Sequence, residues 1–149
     1  MTKTSLSDRD FQRLLQLRTR LRGFLRWSEA QARAAGVPPT QHQLLLAVRG
    51  HSDRRGPTIG EAADYLFLRH HSAVELVDRA GHAGLVERRA DPDDARVVRL
   101  GLTPTGRAAL DRLTALHFEE LRRLASSLTA LVKDFDFDQD DRGGTRGSE

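Results

Sequence analysis

Between Asp8 and Ala35 the apolar residues Phe11, Leu14, Leu15, Leu21, Phe24, Leu25 and Trp27 recur mostly at steps of three and four, the period of one helical face. This spacing predicts a long first helix over residues 8–35, stopped by Gly36 and followed by the stiff link Val37-Pro38-Pro39. Thr40 and Gln43 have capping-box spacing, which predicts a second helix from Thr40 to about Arg49. The polar stretch from His51 to Pro57 then breaks the chain, and Thr58 with Glu61 repeats the capping-box pattern ahead of a short third helix ending near Leu66. From His70 to Ala83 a fourth helix is expected, with Ala73, Val74, Val77 and Ala80 inward and Gly84 closing it. Gly81 costs that helix about 1 kcal/mol relative to alanine and predicts bending or fraying there.

The pattern then changes to period two. Residues 85–90 and 97–102 are short β-prone runs separated by Asp91-Pro92-Asp93-Asp94, which reads as a hairpin with a loose tip. Thr103 and Pro104 supply an N-cap and a proline at the first helical position. Beyond them Leu110, Leu113, His117, Leu121, Leu124, Leu128 and Leu131 form a narrow stripe at steps of three and four. Such a seam packs lengthwise on another helix, and the first helix of the same or a second subunit is the available partner. A homodimer is therefore expected, with Phe11, Leu14, Leu113, Leu121, Leu124 and Leu128 at its interface. Past Leu124 the pair Ser126-Ser127 and a short apolar end replace any well-marked further helix, which predicts a smaller interface. The fold class is mainly α with a small β-hairpin: a helix-turn-helix followed by a two-stranded wing, over residues 40–103, flanked by helices over residues 8–35 and 104–132.

Composition narrows the function classes. A chain of 149 residues suits one domain, here residues 1–132. Cysteine is absent, which excludes disulfides, thiolate metal sites and cysteine-based peroxide sensing. The N-terminal residues carry no apolar run, and no stretch approaches the roughly 18 apolar residues of a membrane span, so a cytoplasmic location without a membrane partner is expected. The net charge of +3 hides an asymmetry, because residues 133–149 hold three cations against six acids and leave 21 cations and 15 acids in the body. That segment reads as an acidic, disordered tail. The basic body is almost entirely arginine, whose planar fork suits phosphates and base edges, so a polyanionic partner is expected. The six histidines include no pair at helical i, i+4 spacing, which argues against metal binding, and no cofactor motif is present. With no nucleophile motif, phosphate-binding glycine loop or spaced acid/base pair, the chain reads as non-enzymatic.

On a helix that enters the major groove, only the first two turns reach base edges, and they need short polar or cationic side chains. Arg69, His70, His71 and Ser72 meet that need, and Glu75 is placed to accept from a cytosine amino group. Asp78 is expected to pair with a wing arginine. Arg96 at the hairpin tip suits a narrow minor groove, where negative potential attracts a guanidinium. Arg88, Arg89 and Arg99 on the strands and the backbone amides near Thr58 and Ile59 are expected to steer toward or touch phosphates.

These motifs carry a family resemblance. Glu61-x-Ala63-x-x-Leu66-x-Leu68-Arg69, Val77-Asp78-Arg79, Gly84-Leu85-Val86-x-Arg88, Asp91-Pro92-x-Asp94-x-Arg96 and Leu102-Thr103-Pro104-x-Gly106 together resemble the signature of the MarR (multiple-antibiotic-resistance repressor) family across residues 40–110. The resemblance implies a homodimeric repressor that binds near-palindromic double-stranded DNA, with Asp94 orienting Arg96. It also implies a crevice between the dimerisation helices and the DNA-binding lobe that takes a small aromatic or phenolic effector. Phe24, Trp27, His42, Leu46 and His117 are the residues expected near it. Ala95 stands where a second basic wing residue is usual, which implies modest wing affinity. The alternative from another class is a winged-helix protein-interaction module without DNA binding.

Overall fold

In a computed structural model describing residues 5–133, the chain runs α1 (Asp8–Ala34), α2 (Pro39–Gly50), α3 (Ile59–Leu66), α4 (His70–His82), β1 (Val86–Ala90), β2 (Val98–Leu102) and α5 (Pro104–Lys133). Residues 26–118 form one compact unit, and the described residues 5–25 and 119–133 belong to another. The mainly α architecture with one small hairpin is the expected one. Apart from Lys133, which closes α5, the residues read as an acidic tail lie outside those described.

Helix ends show which local signals prevailed. Helix α2 starts at Pro39 rather than after Thr40, with Pro38 as an extended N-cap and no side-chain capping bond. The Thr40–Gln43 capping box therefore does not form, because Pro39 already holds a helical φ and has no N–H to cap. Helix α1 is opened by a box that the pattern did not suggest: the Ser7 backbone N–H and hydroxyl both donate to Asp10, and the Asp10 N–H donates back to the Ser7 Oγ. At α3 half of the predicted box forms, Glu61 N–H donating to Thr58 Oγ1 at 3.2 Å. The Glu61 carboxylate instead meets His51 Nε2 at 2.7 Å. Helix α4 continues through Gly81 and ends one residue later, so the glycine marks a terminus and not a mid-helix break. Helix α5 runs unbroken through Ser126-Ser127 to Lys133, one residue past the end expected for the last helix. Ser127 Oγ satisfies itself on the Leu124 carbonyl at 3.1 Å, a back-bond that helices tolerate.

Within the 26–118 unit, Leu44, Leu45, Leu76, Val77, Leu100 and Leu113 are at most 2 % exposed and centre one apolar core. Burying each leucine stabilises the unit by about 1.5–3 kcal/mol. Leu113 had been placed at the dimer interface. The structure corrects this, because the lobe's own core covers it completely and it has no surface left for a second chain.

Strands β1 and β2 pair antiparallel, with Val86 opposite Leu102, Arg88 opposite Leu100 and Arg89 opposite Arg99. Val86, Leu100 and Leu102 turn into the core, while Glu87 and Arg89 lie on the outer face by alternation. The loop before α3 adds a partial third rung, Leu100 N–H donating to Pro57 O at 2.8 Å and Thr58 bridging to Arg99. That rung needs Gly56. Its φ is +88°, and a Cβ there would sit 1.9 Å from the Leu100 carbonyl oxygen. Gly106 is needed for a different reason, a close approach, since a Cβ would fall 2.0 Å from Leu85 O.

In the terminal unit Phe11, Leu14, Leu15, Leu21, Leu121 and Val132 are exposed, Leu124 and Leu128 half-buried, and Leu131 buried. Among the described residues no helix is long and apolar enough to cross a membrane.

Candidate nucleic-acid interface

The turn between α3 and α4 aims the second helix. Phe67 caps α3 in the left-handed region at φ 53°, its N–H reaching Asp64 O, while Leu68 N–H donates to Ala63 O at 3.0 Å. Satisfying the last carbonyls in this way ends the helix sharply. Arg69 then serves as the N-cap of α4 through its backbone alone, with no side-chain capping bond. Its guanidinium is left to solvent. The side chains of Arg69, His70, His71 and Glu75 are all exposed and make no hydrogen bond or ion pair with any described residue, and Ser72 is half-buried beside them. Their back face is filled by Ala73, Leu76, Val77 and Ala80. Burial on one side thus leaves the polar side of the first two turns outward.

The hairpin tip is tight rather than loose. Asp91 is buried, and its Oδ1 accepts from the N–H groups of Asp93 at 2.8 Å and Asp94 at 3.1 Å. Its other oxygen accepts from Arg99 Nε and lies 3.4 Å from Arg55 Nη1. These contacts, the Arg99 hydrogen bond foremost, hold the Asp91 carboxyl below the usual carboxylate range. Arg99 also donates to Gly56 O at 2.9 Å, so it braces the wing against the α2–α3 loop. The expectation that Arg99 touches phosphates is corrected: its side chain is mostly buried and committed to Asp91. Arg55 extends the brace by pairing with Asp53 at 2.8 Å and Asp93 at 2.9 Å. Sequence reading missed this network. Its signal was the spacing of Asp53, Arg55 and Asp91, which nothing local distinguishes from ordinary loop charge.

Beyond the brace, Arg96 stands at the tip with 90 % of its side chain exposed. Asp94 nonetheless grips it by both oxygens, Nε and Nη2 each donating at 3.1 Å, while the Arg96 backbone N–H donates to the same carboxylate. The result is a charged group held in direction without being covered. The hydrogen bonds to Arg96 lower the Asp94 carboxyl from its ordinary value. Arg88 is tied to Asp78 of α4 at 2.6 Å, which joins recognition helix to wing as anticipated for Asp78. Thr58 is occupied with capping α3.

The residues expected near an effector are partly gathered. Trp27 stacks edge-on to His117 with ring centroids 5.0 Å apart, and His42 lies 5.1 Å from His117. A carbonyl only accepts, so His117 Nδ1 carries the proton that it donates to Leu113 O at 2.6 Å. In the neutral ring, Nε2 therefore accepts from the Ser28 hydroxyl, also at 2.6 Å. Burial first, and then the neighbouring His117, lower the His42 pKa. Leu46, one turn along α2 from His42, is exposed, and Phe24 is half-buried in the terminal unit. Among the described residues no group of three or more His, Asp or Glu is placed to hold a metal ion.

Comparison with known proteins places this geometry. A sequence model described as the MarR family matches residues 35–97. The uncharacterized HTH-type transcriptional regulator YsmB of Bacillus subtilis is 38 % identical over 72 residues, which cover 48 % of this chain and 49 % of that protein. The chain thus aligns with about half the length of this curated relative. A solved MarR family transcription regulator superposes with a TM-score of 0.71 at 26 % identity, over 85 % of each chain. The transcriptional regulator MosR of M. tuberculosis, solved in complex with DNA, gives a TM-score of 0.53 at 25 % identity, covering 78 % of this chain and 80 % of MosR.

Proposed function

From a chain that belongs to the MarR family of winged helix-turn-helix transcriptional regulators, we propose a sequence-specific repressor that binds double-stranded DNA as a homodimer. The observation that carries this reading is Arg96, almost fully exposed yet fixed by a two-point grip from Asp94. A guanidinium so held loses little freedom on entering a minor groove. Arg69, His70, His71, Ser72 and Glu75 would meet base edges in the adjacent major groove, where an arginine fork matches guanine N7 and O6. Arg88 and the backbone around Thr58 would meet phosphates. The solved complex of MosR with DNA supports the reading.

Two copies would unite through the exposed apolar residues of the terminal helices, Phe11, Leu14 and Leu121 among them, with Leu124 and Leu128 alongside. A two-fold pair suits a near-palindromic operator with half-sites about 34–36 Å apart. The Trp27, His42 and His117 rings would receive a small aromatic or phenolic effector, with Leu46 at its margin. Such a ligand releases DNA only by preferring the conformer that binds DNA poorly.

A mobility-shift assay with DNA from upstream of the protein's own gene tests this. The native chain should shift the fragment, and Arg96→Ala should lower affinity about tenfold or more. Equal affinity of the two proteins would remove the wing from the mechanism.

A further inference from the structure

A second feature of the 26–118 unit has no part in that reading. A cavity of about 460 Å³ opens between the outer face of the hairpin, the end of α2, the loop that follows and the start of α5. Four arginines line it, Arg49, Arg54, Arg89 and Arg107, together with His51 and Asp53. Among the described residues the one lining carboxylate is already engaged, since Asp53 takes the backbone N–H, Nε and Nη2 of Arg55. His51 is also committed, with Nε2 to Glu61 at 2.7 Å and Nδ1 to the Tyr65 hydroxyl at 3.0 Å. The side chains of Arg49, Arg54 and Arg107 make no hydrogen bond or ion pair with any described residue. Arg89 is half-satisfied by Glu87, and its guanidinium lies over Gly101, where a Cβ would come within 2.4 Å of Cζ. Glycine at 101 is therefore what lets the fork lie flat on the sheet.

We propose that this cavity binds a small phosphorylated metabolite carrying at least two negative charges. Several like charges lining one recess repel one another until an anion joins them, and planar forks bind phosphate oxygens in pairs. Among the described residues no Phe, Tyr or Trp lines the recess, and its one ring, His51, is held by Glu61 and Tyr65, so it does not suit a phenolic ligand. Its volume falls within the range of about 300–1,000 Å³ typical of small-molecule sites. A DNA backbone phosphate offers the same chemistry, but a recess floored by β2 favours a compact ligand that enters it. The site is separate from the rings of Trp27, His42 and His117, and it does not depend on DNA recognition.

Calorimetric titration of the full chain with inorganic pyrophosphate, at constant ionic strength, tests the assignment. Saturable binding at one site per chain is expected, weakened about tenfold or more in the double variant Arg54→Gln, Arg107→Gln. Gly101→Leu, which keeps every arginine but displaces the Arg89 fork, should also weaken it severalfold. Thermal unfolding establishes that each variant is folded, and Arg54→Lys with Arg107→Lys, which keeps charge but loses the fork, serves if the glutamine variant is not. DNA affinity of the same variants separates the two phosphate sources. Loss of pyrophosphate binding with DNA affinity retained supports a metabolite site. Absence of saturable binding at millimolar pyrophosphate, or binding indifferent to these substitutions, overturns it. So does a uniform loss of DNA affinity with a shallower salt slope in variants of a chain that binds no pyrophosphate, which would mark a seat for the DNA backbone.

Discussion

Arg96 illustrates how an exposed side chain acquires direction. An exposed ion pair adds little to stability, so the effect of the Asp94 grip lies in which way the fork points. His42 is the opposite case, a buried base whose folded-state pKa is depressed, first by burial and then by His117. The unfolded chain takes up a proton as pH falls below about 6.5, while the folded chain resists. Stability is therefore full above that value and declines as pH drops from it toward the lower folded pKa. Urea unfolding between pH 7.5 and 5 should show this decline, and His42→Gln should flatten it. A native profile already flat over that range would mean that His42 titrates normally in the fold.

At the level of elements, the wing is a braced structure in which Arg99, Asp91, Arg55 and Asp53 lock the hairpin to the α2–α3 loop. Gly56→Ala should damage it, because the added methyl meets the Leu100 carbonyl and the backbone sits at positive φ. A loss of about 2 kcal/mol or more in urea unfolding is expected, and a variant as stable as the native chain would contradict the close approach. Element number and order were legible from periodicity and turn residues, since the 3.6-residue and two-residue patterns are strong where one face is buried. The tight tip was not, because the turn depends on the burial of Asp91 by Arg99 eight residues later. Leu113 was misplaced for a related reason: an apolar stripe shows that a face is covered but does not say by what. At the candidate site the motif spacing located the exposed face of α4 and the Asp94–Arg96 pair. The inward turn of Arg99 had no local signature.

For the whole molecule, the apolar residues on the terminal helices argue for association. Phe11, Leu14, Leu15, Leu21, Leu25 and Leu121 are each more than a third exposed in the single chain, more apolar surface than a soluble monomer usually leaves in one region. Sedimentation equilibrium should give twice the chain mass of 16.7 kDa, and Leu14→Asp with Leu121→Asp should shift it toward the monomer. A native monomer at micromolar concentration would remove the dimer from the account. DNA binding would show in the affinity for the upstream duplex as a function of salt, measured by fluorescence anisotropy. Affinity should fall steeply and linearly in log–log form, with a slope reduced by about one per phosphate-contacting arginine removed. Absence of binding at low salt, or affinity that ignores salt and sequence alike, would contradict it.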